Sequence, residues 1–354
     1  MPPHRRAAQV VAGAVVMTAL VGCQGEPVPE PTGGVSGEPG APLVDGIFTA
    51  DPSGHVWAGG LYVYPSHDVP TDVAPDDDGS QYDMRDYHVL SMGRPGGPVT
   101  DHGVVLDVAD VPWAEKQLWA PDAAHKDGTY YLYFPAKAPD GVFRIGVATS
   151  TDPAGPFVAQ PEPMAGAYSI DPAVFTDADG ASYLYTGGLR GGQLQRYDGD
   201  TYTGRDVYPA DDEPAIGPRV ARLSDDMLQL AEPAREVVLL DEDGVPLTQG
   251  DPRRFFEASW MFATGGTYCF MYSTGDTHRL AYATGGSPYG PFTYRGTVLD
   301  PVQGWTTHGS VVEWDGAWYL LYHSAARSGR DNLRDVRMVR LELGPDGTIA
   351  TVTP

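Results

Sequence analysis

The sequence is poor in cysteine and in basic residues, and each shortage excludes a class of protein. Cys23 and Cys269 are the two cysteines among 354 residues, so a framework of disulfides is excluded. We predict Cys269, within "TYCFMY", to be an inert buried thiol. Basic residues number 23 against 47 acidic ones, a formal net charge of −24. Such a surface repels nucleic acid and polyanionic substrates, so a neutral ligand fits better.

Long apolar runs are also lacking, apart from one near the amino terminus. Arg5 and Arg6 precede residues 7–22, an apolar stretch that is short for a membrane span and typical of an export signal. "LVGC" (20–23) resembles a bacterial lipobox, which implies cleavage before Cys23 and acylation of Cys23. The alternative is an ordinary secretory peptide or an uncleaved anchor. We expect an exported protein in either case, a cell-surface lipoprotein anchored at Cys23 or a secreted one.

Composition divides the chain into three regions. Residues 1–22 are predicted to be a lipoprotein signal peptide. Residues 23–45 are rich in Pro and Gly and are predicted to be a disordered tether. Residues 46–354 have the apolar and aromatic content of a globular domain and are long enough for one large core.

An aromatic-rich hairpin pattern recurs five times in the chain. Each copy is a Gly-containing turn followed by alternating aromatic and aliphatic residues, typical of a hairpin entering a β-strand. Five repeats of four short strands predict an all-β fold, a five-bladed β-propeller, with a β-sandwich or jelly roll as the alternative. The copies are "GGLYVYPSHD" (59–68), "DGTYYLYFPA" (127–136), "DGASYLYTGG" (179–188), "GGTYCFMYSTG" (265–275) and "DGAWYLLYHSA" (315–325).

A titratable residue precedes the hairpin glycine in every copy. Asp51, Asp171 and Glu257 lie nine residues before it, while His308 lies eight and Asp122 six residues before it. In a propeller the first strand of each blade lines the central axis. We therefore expect these five side chains to converge around the mouth of one channel.

Three acids facing a neutral pocket have two interpretations. One is a Ca²⁺ cage, because Ca²⁺ prefers oxygen ligands. The other is hydrolysis of a glycosidic bond, which needs one protonated acid and one ionised carboxylate. Glu257 lies among apolar residues that disfavour its anion and suits the general acid. Asp51, near Ser53 and His55, suits the general base, and Asp171 would tune the acid.

Tryptophan residues offer faces on which sugar rings could stack. Trp113, Trp119 and Trp305 are the candidates, although each by itself is better explained by packing in the core.

Several segments resemble glycoside hydrolase family 43, over about Ile47 to Thr353. The segments are "TADPS", "LWAPDAAHKDGTYYLYFPAK", "SIDPAVFTDADG", "RRFFEASWM", "YSTGDTH" and "GWTTHGSVVEWDGAWYLLYH". "SQYDMRDYHVLSM" and "DHGVVLDVADVPWAEKQ" are similar to a β-xylosidase-type subgroup. The resemblance implies a five-bladed propeller, inversion of the anomeric configuration, an Asp51 base, an Asp171 modulator and a Glu257 acid.

The resemblance also implies ligand-binding residues. Some family members hold a divalent ion, usually Ca²⁺, on the propeller axis through a His that matches His308; the alternative is a His that orients water without a metal. Arg334 matches an Arg that reaches toward the sugar. Trp119, Asp122 and Trp305 are the other predicted substrate contacts, and no organic cofactor is implied.

The chain departs from this subgroup at two places. Glu257-Ala258-Ser259 stands where Glu-Gly-Pro usually surrounds the acid. Arg190 stands where an aromatic residue usually follows Gly-Gly-Leu, and we expect it to reshape an outer sugar subsite.

The resulting hypothesis is an inverting, exo-acting β-D-xylosidase that acts on xylo-oligosaccharides. An α-L-arabinofuranosidase acting on arabinoxylan or arabinan, a non-catalytic carbohydrate-binding lipoprotein and a linkage-retaining hydrolase are the alternatives. The expected partners are neutral pentose oligosaccharides, without nucleic acid, and with membrane contact only through the lipid anchor.

Overall fold

The computed structural model describes residues 40–275, 277–344 and 347–354. The predicted signal peptide, Cys23 and most of the predicted tether lie outside these residues. Within them the helical segments are 3-10 turns, at Val108–Asp110, Arg190–Gly192 and Leu194–Arg196. None of the helices in the described ranges is long and apolar enough to cross a membrane.

The first two blades are four-stranded antiparallel meanders. Blade one contains β1 (Phe48–Trp57), β2 (Gly60–Asp68), β3 (Asp86–Met92) and β4 (Val99–Asp107). Blade two contains β5 (Asp122–Lys126), β6 (Thr129–Lys137), β7 (Phe143–Ser150) and β8 (Val158–Ala159).

The other three blades follow the same plan with additions. Blade three contains β9 (Ala173–Thr176) and β10 (Ser182–Thr186), a separate hairpin of β11 (Tyr197–Asp198) and β12 (Thr201–Tyr202), then β13 (Arg219–Arg222) and β14 (Arg235–Glu236). Blade four contains β15 (Leu239–Leu240), β16 (Phe255–Thr264), β17 (Thr267–Thr274), β18 (Leu280–Gly285) and β19 (Phe292–Leu299). Blade five contains β20 (Gly309–Trp314), β21 (Ala317–Ser324) and β22 (Asp335–Leu341).

The first strands of the five blades form a closed ring. β1 contacts β5, β5 contacts β9, β9 contacts β16, β16 contacts β20, and β20 contacts β1. The predicted five-bladed β-propeller is therefore confirmed. Its core consists of apolar clusters between blades, such as Leu61 and Val63 of blade one against Leu321 and Val336 of blade five.

The repeated turn motif has a stereochemical cause. Asp127 and Gly128 join β5 to β6 as a two-residue turn, with φ of 51° and 80°. Asp315 and Gly316 join β20 to β21 in the same way, with φ of 51° and 73°. A turn with two positive φ angles matches the twist of an antiparallel pair and favours Asp-Gly. Because the turn requires particular residues, the hairpin of each blade can be recognised from the sequence.

The amino-terminal end of the described chain closes blade five. The Leu43 amide donates a hydrogen bond to the Val336 carbonyl at 2.8 Å, and Pro42 pairs with Arg337. Leu43 and Val44 are buried. The predicted tether, residues 23–45, is therefore wrong at its end, because residues 40–44 add to the open edge of β22 and bury apolar side chains there. Cys269 is a buried free thiol, as predicted.

Candidate active site

One pocket contains the three predicted carboxylates. Its volume is about 350 Å³, within the range of small-ligand sites. Asp51, Asp171 and Glu257 lie in it together with His308 and Arg334. The remaining lining is apolar or aromatic on the walls and charged toward solvent, and includes Tyr82, Met84, Trp119, Ile170, Leu189, Phe256, Trp305, Asp76, Asp77, Arg190 and Asp331.

Unusual backbone conformations aim these carboxylates into the pocket. Asp51 and Asp171 have φ of 47° and 53°, although each is a non-glycine residue that precedes proline. Ala258, which follows Glu257, has φ of 64°. β1 and β16 also lose their regular register around Asp51 and Glu257. Such bulges and left-handed residues redirect side chains at functional sites and cost conformational energy.

Asp51 is held by a cation and by neutral donors. Arg334 Nη1 donates to Asp51 Oδ1 at 2.9 Å, and Ser66 Oγ donates to Asp51 Oδ2 at 2.7 Å. Arg334 is itself fixed by Asp68, with nitrogen–oxygen distances of 2.8 and 2.9 Å. Burial by itself would raise the pKa of Asp51, but the charge of Arg334 holds that pKa well below its usual range.

His323 acts on Asp51 mainly through the backbone. The Asp51 amide donates to His323 Nδ1 at 3.0 Å, and His323 Nε2 lies 3.0 Å from the Thr306 carbonyl. These partners assign a neutral imidazole with its proton on Nε2. Nδ1 then has no proton to donate to Asp51 Oδ1, 3.2 Å away. We therefore attribute the ionisation of Asp51 to Arg334.

The opposite side of the pocket favours protonated carboxyls. Burial, followed by the charges of Asp171 and Asp51, raises the pKa of Glu257 well above its usual range. Burial and the charge of Asp51 likewise raise the pKa of Asp171. Asp171 Oδ2 accepts a hydrogen bond of 2.8 Å from the amide of Ala258. Asp171 is thus attached by a hydrogen bond to the backbone that carries Glu257.

His308 lies between the two aspartates. Its Nδ1 is 3.8 Å from Asp51 Oδ1 and 3.9 Å from Asp171 Oδ2. Burial lowers the pKa of His308 to about 4, so the imidazole is neutral near pH 7. A neutral imidazole nitrogen is one possible metal ligand, whereas Ca²⁺ takes about six to eight oxygen ligands. The protein groups here do not complete a calcium cage, and we derive no catalytic step through a metal.

Three of the predicted substrate contacts line the pocket, and one does not. Trp119, Trp305 and Arg334 are part of its wall. The prediction for Asp122 is wrong: this residue is fully buried outside the pocket, where its oxygens meet His55 Nε2 at 2.7 Å and the Val174 amide at 2.6 Å. Its shorter offset from the hairpin glycine places it deeper in the ring.

Trp113 is a core residue. Its ring stacks on Phe134, with ring centroids 6.0 Å apart and an interplanar angle of 9°. It does not line the pocket, so the suggestion that it stacks on sugar is wrong. The alternative, packing in the core, is correct.

Trp305 and Arg190 form an outer wall of the pocket. Trp305 is 43% exposed, and its ring centroid lies 4.4 Å from that of His278. Arg190 Cζ lies 5.5 Å from the Trp305 ring centroid, in a cation–π arrangement. A planar ring and a guanidinium next to each other offer a stacking surface and hydrogen-bond donors.

Sequence reasoning missed the residues that support Asp51. Ser66, Asp68 and His323 each contact Asp51 or its Arg334 partner. Ser66 and Asp68 belong to "YPSHD", which was noticed only as a hairpin repeat. The other copies have no acid at the position of Asp68, which was an available indication of a special role. Tyr82, whose ring lies 5.0 Å from Arg334 Cζ, carried no such indication.

Comparisons with known proteins agree with this geometry. Residues 99–349 match the model of glycosyl hydrolases family 43. A xylosidase/arabinosidase 43A from Humicola insolens is 56% identical over 329 residues, which cover 89% of this chain and 99% of that protein. The chain belongs to glycosyl hydrolase family 43 and is a glycoside hydrolase.

Two further relatives describe the group more narrowly. A xylosidase/arabinosidase from Bacteroides ovatus is 54% identical over 313 residues. The aligned region covers 88% of this chain and 96% of that protein. The crystal structure of CoXyl43 superimposes on this chain with a TM-score of 0.88. CoXyl43 is a β-xylosidase/α-arabinofuranosidase from a compost microbial metagenome, and its structure is a calcium-free form in complex with xylotriose. It is 56% identical and covers 90% of this chain and 98% of that one.

Proposed function

We propose that the protein is an inverting, exo-acting β-D-xylosidase that removes terminal xylose from xylo-oligosaccharides. The observation that carries the proposal is the opposite pKa shift of two buried carboxyls in one pocket, downward for Asp51 and upward for Glu257. Glycoside hydrolysis needs such a pair, one ionised and one protonated. A protein that only binds sugar has no need for it.

Each carboxyl has a separate step in the proposed reaction. Glu257 gives its proton to the oxygen of the glycosidic bond as that bond breaks. Asp51 accepts a proton from the water that attacks the anomeric carbon on the opposite face. Asp171 does neither; it raises the proton affinity of Glu257 and orients it through the Ala258 amide.

The surroundings of Asp51 keep it ionised, as either a base or a nucleophile requires. Both of its oxygens already accept hydrogen bonds, from Arg334 and from Ser66. A retaining enzyme would require one of these oxygens to bond to carbon. Proton magnetic resonance of the first sugar released decides between the two: the α-anomer of xylose is expected, and initial release of the β-anomer would contradict inversion.

The choice of substrate follows the relatives and the pocket. Relatives of this chain are named for both xylosidase and arabinosidase activities, and the CoXyl43 structure contains xylotriose. A pocket of about 350 Å³ with Trp119 and Phe256 in its walls suits a terminal sugar better than a long chain. Release of terminal α-L-arabinofuranose is the second candidate, because both names occur among the relatives.

A panel of substrates tests this choice. An aryl β-xyloside, an aryl α-arabinofuranoside, xylobiose and arabinoxylan are compared at equal concentration, with Asp51→Asn as the inactive control and Glu257→Gln as the test of the acid. We expect xylobiose and the aryl xyloside to be hydrolysed fastest. A higher kcat/KM for the arabinofuranoside would assign the second function, and unchanged xylobiose turnover in Glu257→Gln would reject the acid assignment.

An axial Ca²⁺ bound through His308 is part of the proposal without a catalytic step. The neutral imidazole supports it, as does the description of CoXyl43 as calcium-free in that structure. Water would have to supply most of the ligands. Metal analysis of the purified protein, before and after dialysis against a chelator, tests for this ion. The proposal of an axial Ca²⁺ would be rejected if the protein contained no calcium and if added Ca²⁺ restored no activity after dialysis.

Export and lipid attachment are proposed from residues 1–45. The segment "LVGC" supports acylation at Cys23, and the composition of the following residues supports a tether. Labelling with a fatty acid in a bacterial host, with Cys23→Ser as the control, should mark only the wild-type protein. Equal labelling of both would contradict acylation at Cys23.

A further inference from the structure

A second cluster of possible ligands lies on blade one, away from the catalytic carboxylates. Ser66 pairs with Tyr87 across β2 and β3, so the next pair outward is His67 and Asp86, and His88 follows on the same face as Asp86. One ligand atom from each of His67, Asp86 and His88 lies within 4.8 Å of the others. None of the three lines the catalytic pocket. Their side chains are 16%, 17% and 10% exposed, so a small ion can reach them.

His88 is oriented as metal-binding histidines are. Its Nδ1 lies 2.8 Å from Asp101 Oδ1, and the same oxygen accepts a bond of 2.9 Å from the Gly103 amide. A fixed carboxylate on one ring nitrogen sets the tautomer and leaves the other nitrogen as a basic lone pair. The free nitrogen of His88 is Nε2, which faces Asp86.

The separation of His88 and Asp86 matches a bridging cation. Nε2 of His88 is 3.7 Å from Asp86 Oδ1. This distance is too long for a hydrogen bond, yet it is short for two atoms that both carry lone pairs and have no proton or cation between them. An ion about 2.1 Å from both atoms would subtend an angle of roughly 120°. That angle is close to the one in tetrahedral zinc sites.

His67 supplies the third ligand from the adjacent strand. Its Nδ1 lies 2.6 Å from Asp86 Oδ1, and its ring centroid is 4.5 Å from that of His88. Two ligands of a tetrahedral ion are about 3.3 Å apart. His67 therefore moves away from Asp86 by less than about 1 Å when an ion binds, and water can fill the fourth position.

We propose that His67, Asp86 and His88, oriented by Asp101, form a site for a divalent transition metal of the Zn²⁺ class. Two imidazoles and one carboxylate favour Zn²⁺ over Ca²⁺ or Mg²⁺, which prefer oxygen alone. The site joins β2 to β3 next to Ser66 and Asp68, the residues that hold Asp51 and Arg334. Its role is structural, and it is independent of the proposed substrate.

Metal binding to the chelator-treated protein tests the site. Zn²⁺ alone is titrated by calorimetry, and melting is followed with and without it. We expect one equivalent to bind to the wild type, with a rise in melting temperature of about 5 °C at a hundredfold excess over Kd. Crystals soaked in Zn²⁺ should give an anomalous peak between His88 Nε2 and Asp86.

Variants distinguish this site from any other. His88→Gln and Asp86→Asn should no longer bind the one equivalent of Zn²⁺. Asp101→Asn, which keeps all three ligands, should weaken Zn²⁺ binding about 10- to 100-fold. His102→Gln is the matched control, because this exposed histidine on β4 bonds to Ser91 and not to the cluster. Binding that survives in Asp86→Asn and Asp101→Asn, an anomalous peak at His308 alone, or no binding by the wild type overturns the proposal.

Discussion

The two sides of the catalytic pocket contain the same chemical group in opposite states. On the side of blades one and five, Asp51 is buried beside Arg334, and its pKa is low. On the side of blades three and four, Asp171 and Glu257 are buried without a cation of their own, and their pKa values are high. Burial is common to both sides. The position of one guanidinium therefore separates base from acid, since burial without a counter-charge favours the neutral carboxyl.

The largest effect is expected from neutralising the ionised side. Asp51→Asn should lower kcat by about 10³-fold or more, because no group remains to accept the proton of the attacking water. The loss should be equally large for xylobiose and for an activated aryl xyloside, since attack is required for both. Steady-state kinetics on the two substrates measures it. Retained activity on the aryl xyloside would contradict the role of Asp51 as base.

Removing the proposed proton donor should reduce hydrolysis by an amount that depends on the substrate. Glu257→Gln should reduce xylobiose hydrolysis by about 10²- to 10⁴-fold. An aryl xyloside with a good leaving group should be affected much less, because its departure needs no proton. The ratio of the two losses is the measurement, and Asp51→Asn is the matched comparison. Equal losses on both substrates would remove Glu257 as the proton donor.

Asp171 connects the two sides through its charge. The pKa of Glu257 is raised partly by Asp171, so Asp171→Asn should lower it. Glu257 must be protonated to act, and activity is lost as pH rises through its pKa. The basic limb of kcat/KM for xylobiose should therefore move to lower pH, by about one unit.

A rim acid provides the control for this shift. Asp331 lines the same pocket but is exposed, so solvent and salt screen its charge. Asp331→Asn should leave the basic limb nearly unchanged. A shift of the same size in both variants would mean that general charge, and not Asp171, sets the pKa.

The smallest effect concerns the backbone that joins Asp171 to Glu257. Ala258 has a positive φ of 64°, which an L-residue adopts at a cost of about 1–2 kcal/mol. Ala258→Gly should raise the free energy of unfolding by up to about 1 kcal/mol, because glycine removes this cost and its greater flexibility in the unfolded chain offsets only part of the gain. Denaturant unfolding measures the change. Ala58→Gly, in an exposed turn with φ of 51°, is the control and should leave kcat unchanged. A fall in the free energy of unfolding of Ala258→Gly would contradict backbone strain at Ala258.

The fold and the grouping of Asp51, Asp171 and Glu257 in one pocket could be predicted because their indications are local. Asp127-Gly128 and Asp315-Gly316 need left-handed turns, and the alternating residues after them need half-buried strands. Asp51 and Asp171 stood out through a common Asp-Pro and a common offset from such turns. Asp122 was misplaced because all five titratable residues were treated as equivalent, although its offset of six residues from the hairpin glycine differs from the nine of the other three acids.

The sequence by itself determined five hairpin repeats and an acid nine residues before the hairpin glycine in three of them, because turns and strand alternation depend on neighbouring residues. Only the tertiary structure decided what keeps Asp51 ionised. The Arg334–Asp51 contact joins residues 283 positions apart, and the His323–Asp51 contact, across 272 positions, likewise forms when the ring closes. The packing of residues 40–44 along β22 also became apparent only in the tertiary structure. A pKa depends on the charges and the solvent around a group, and those are set by packing between blades.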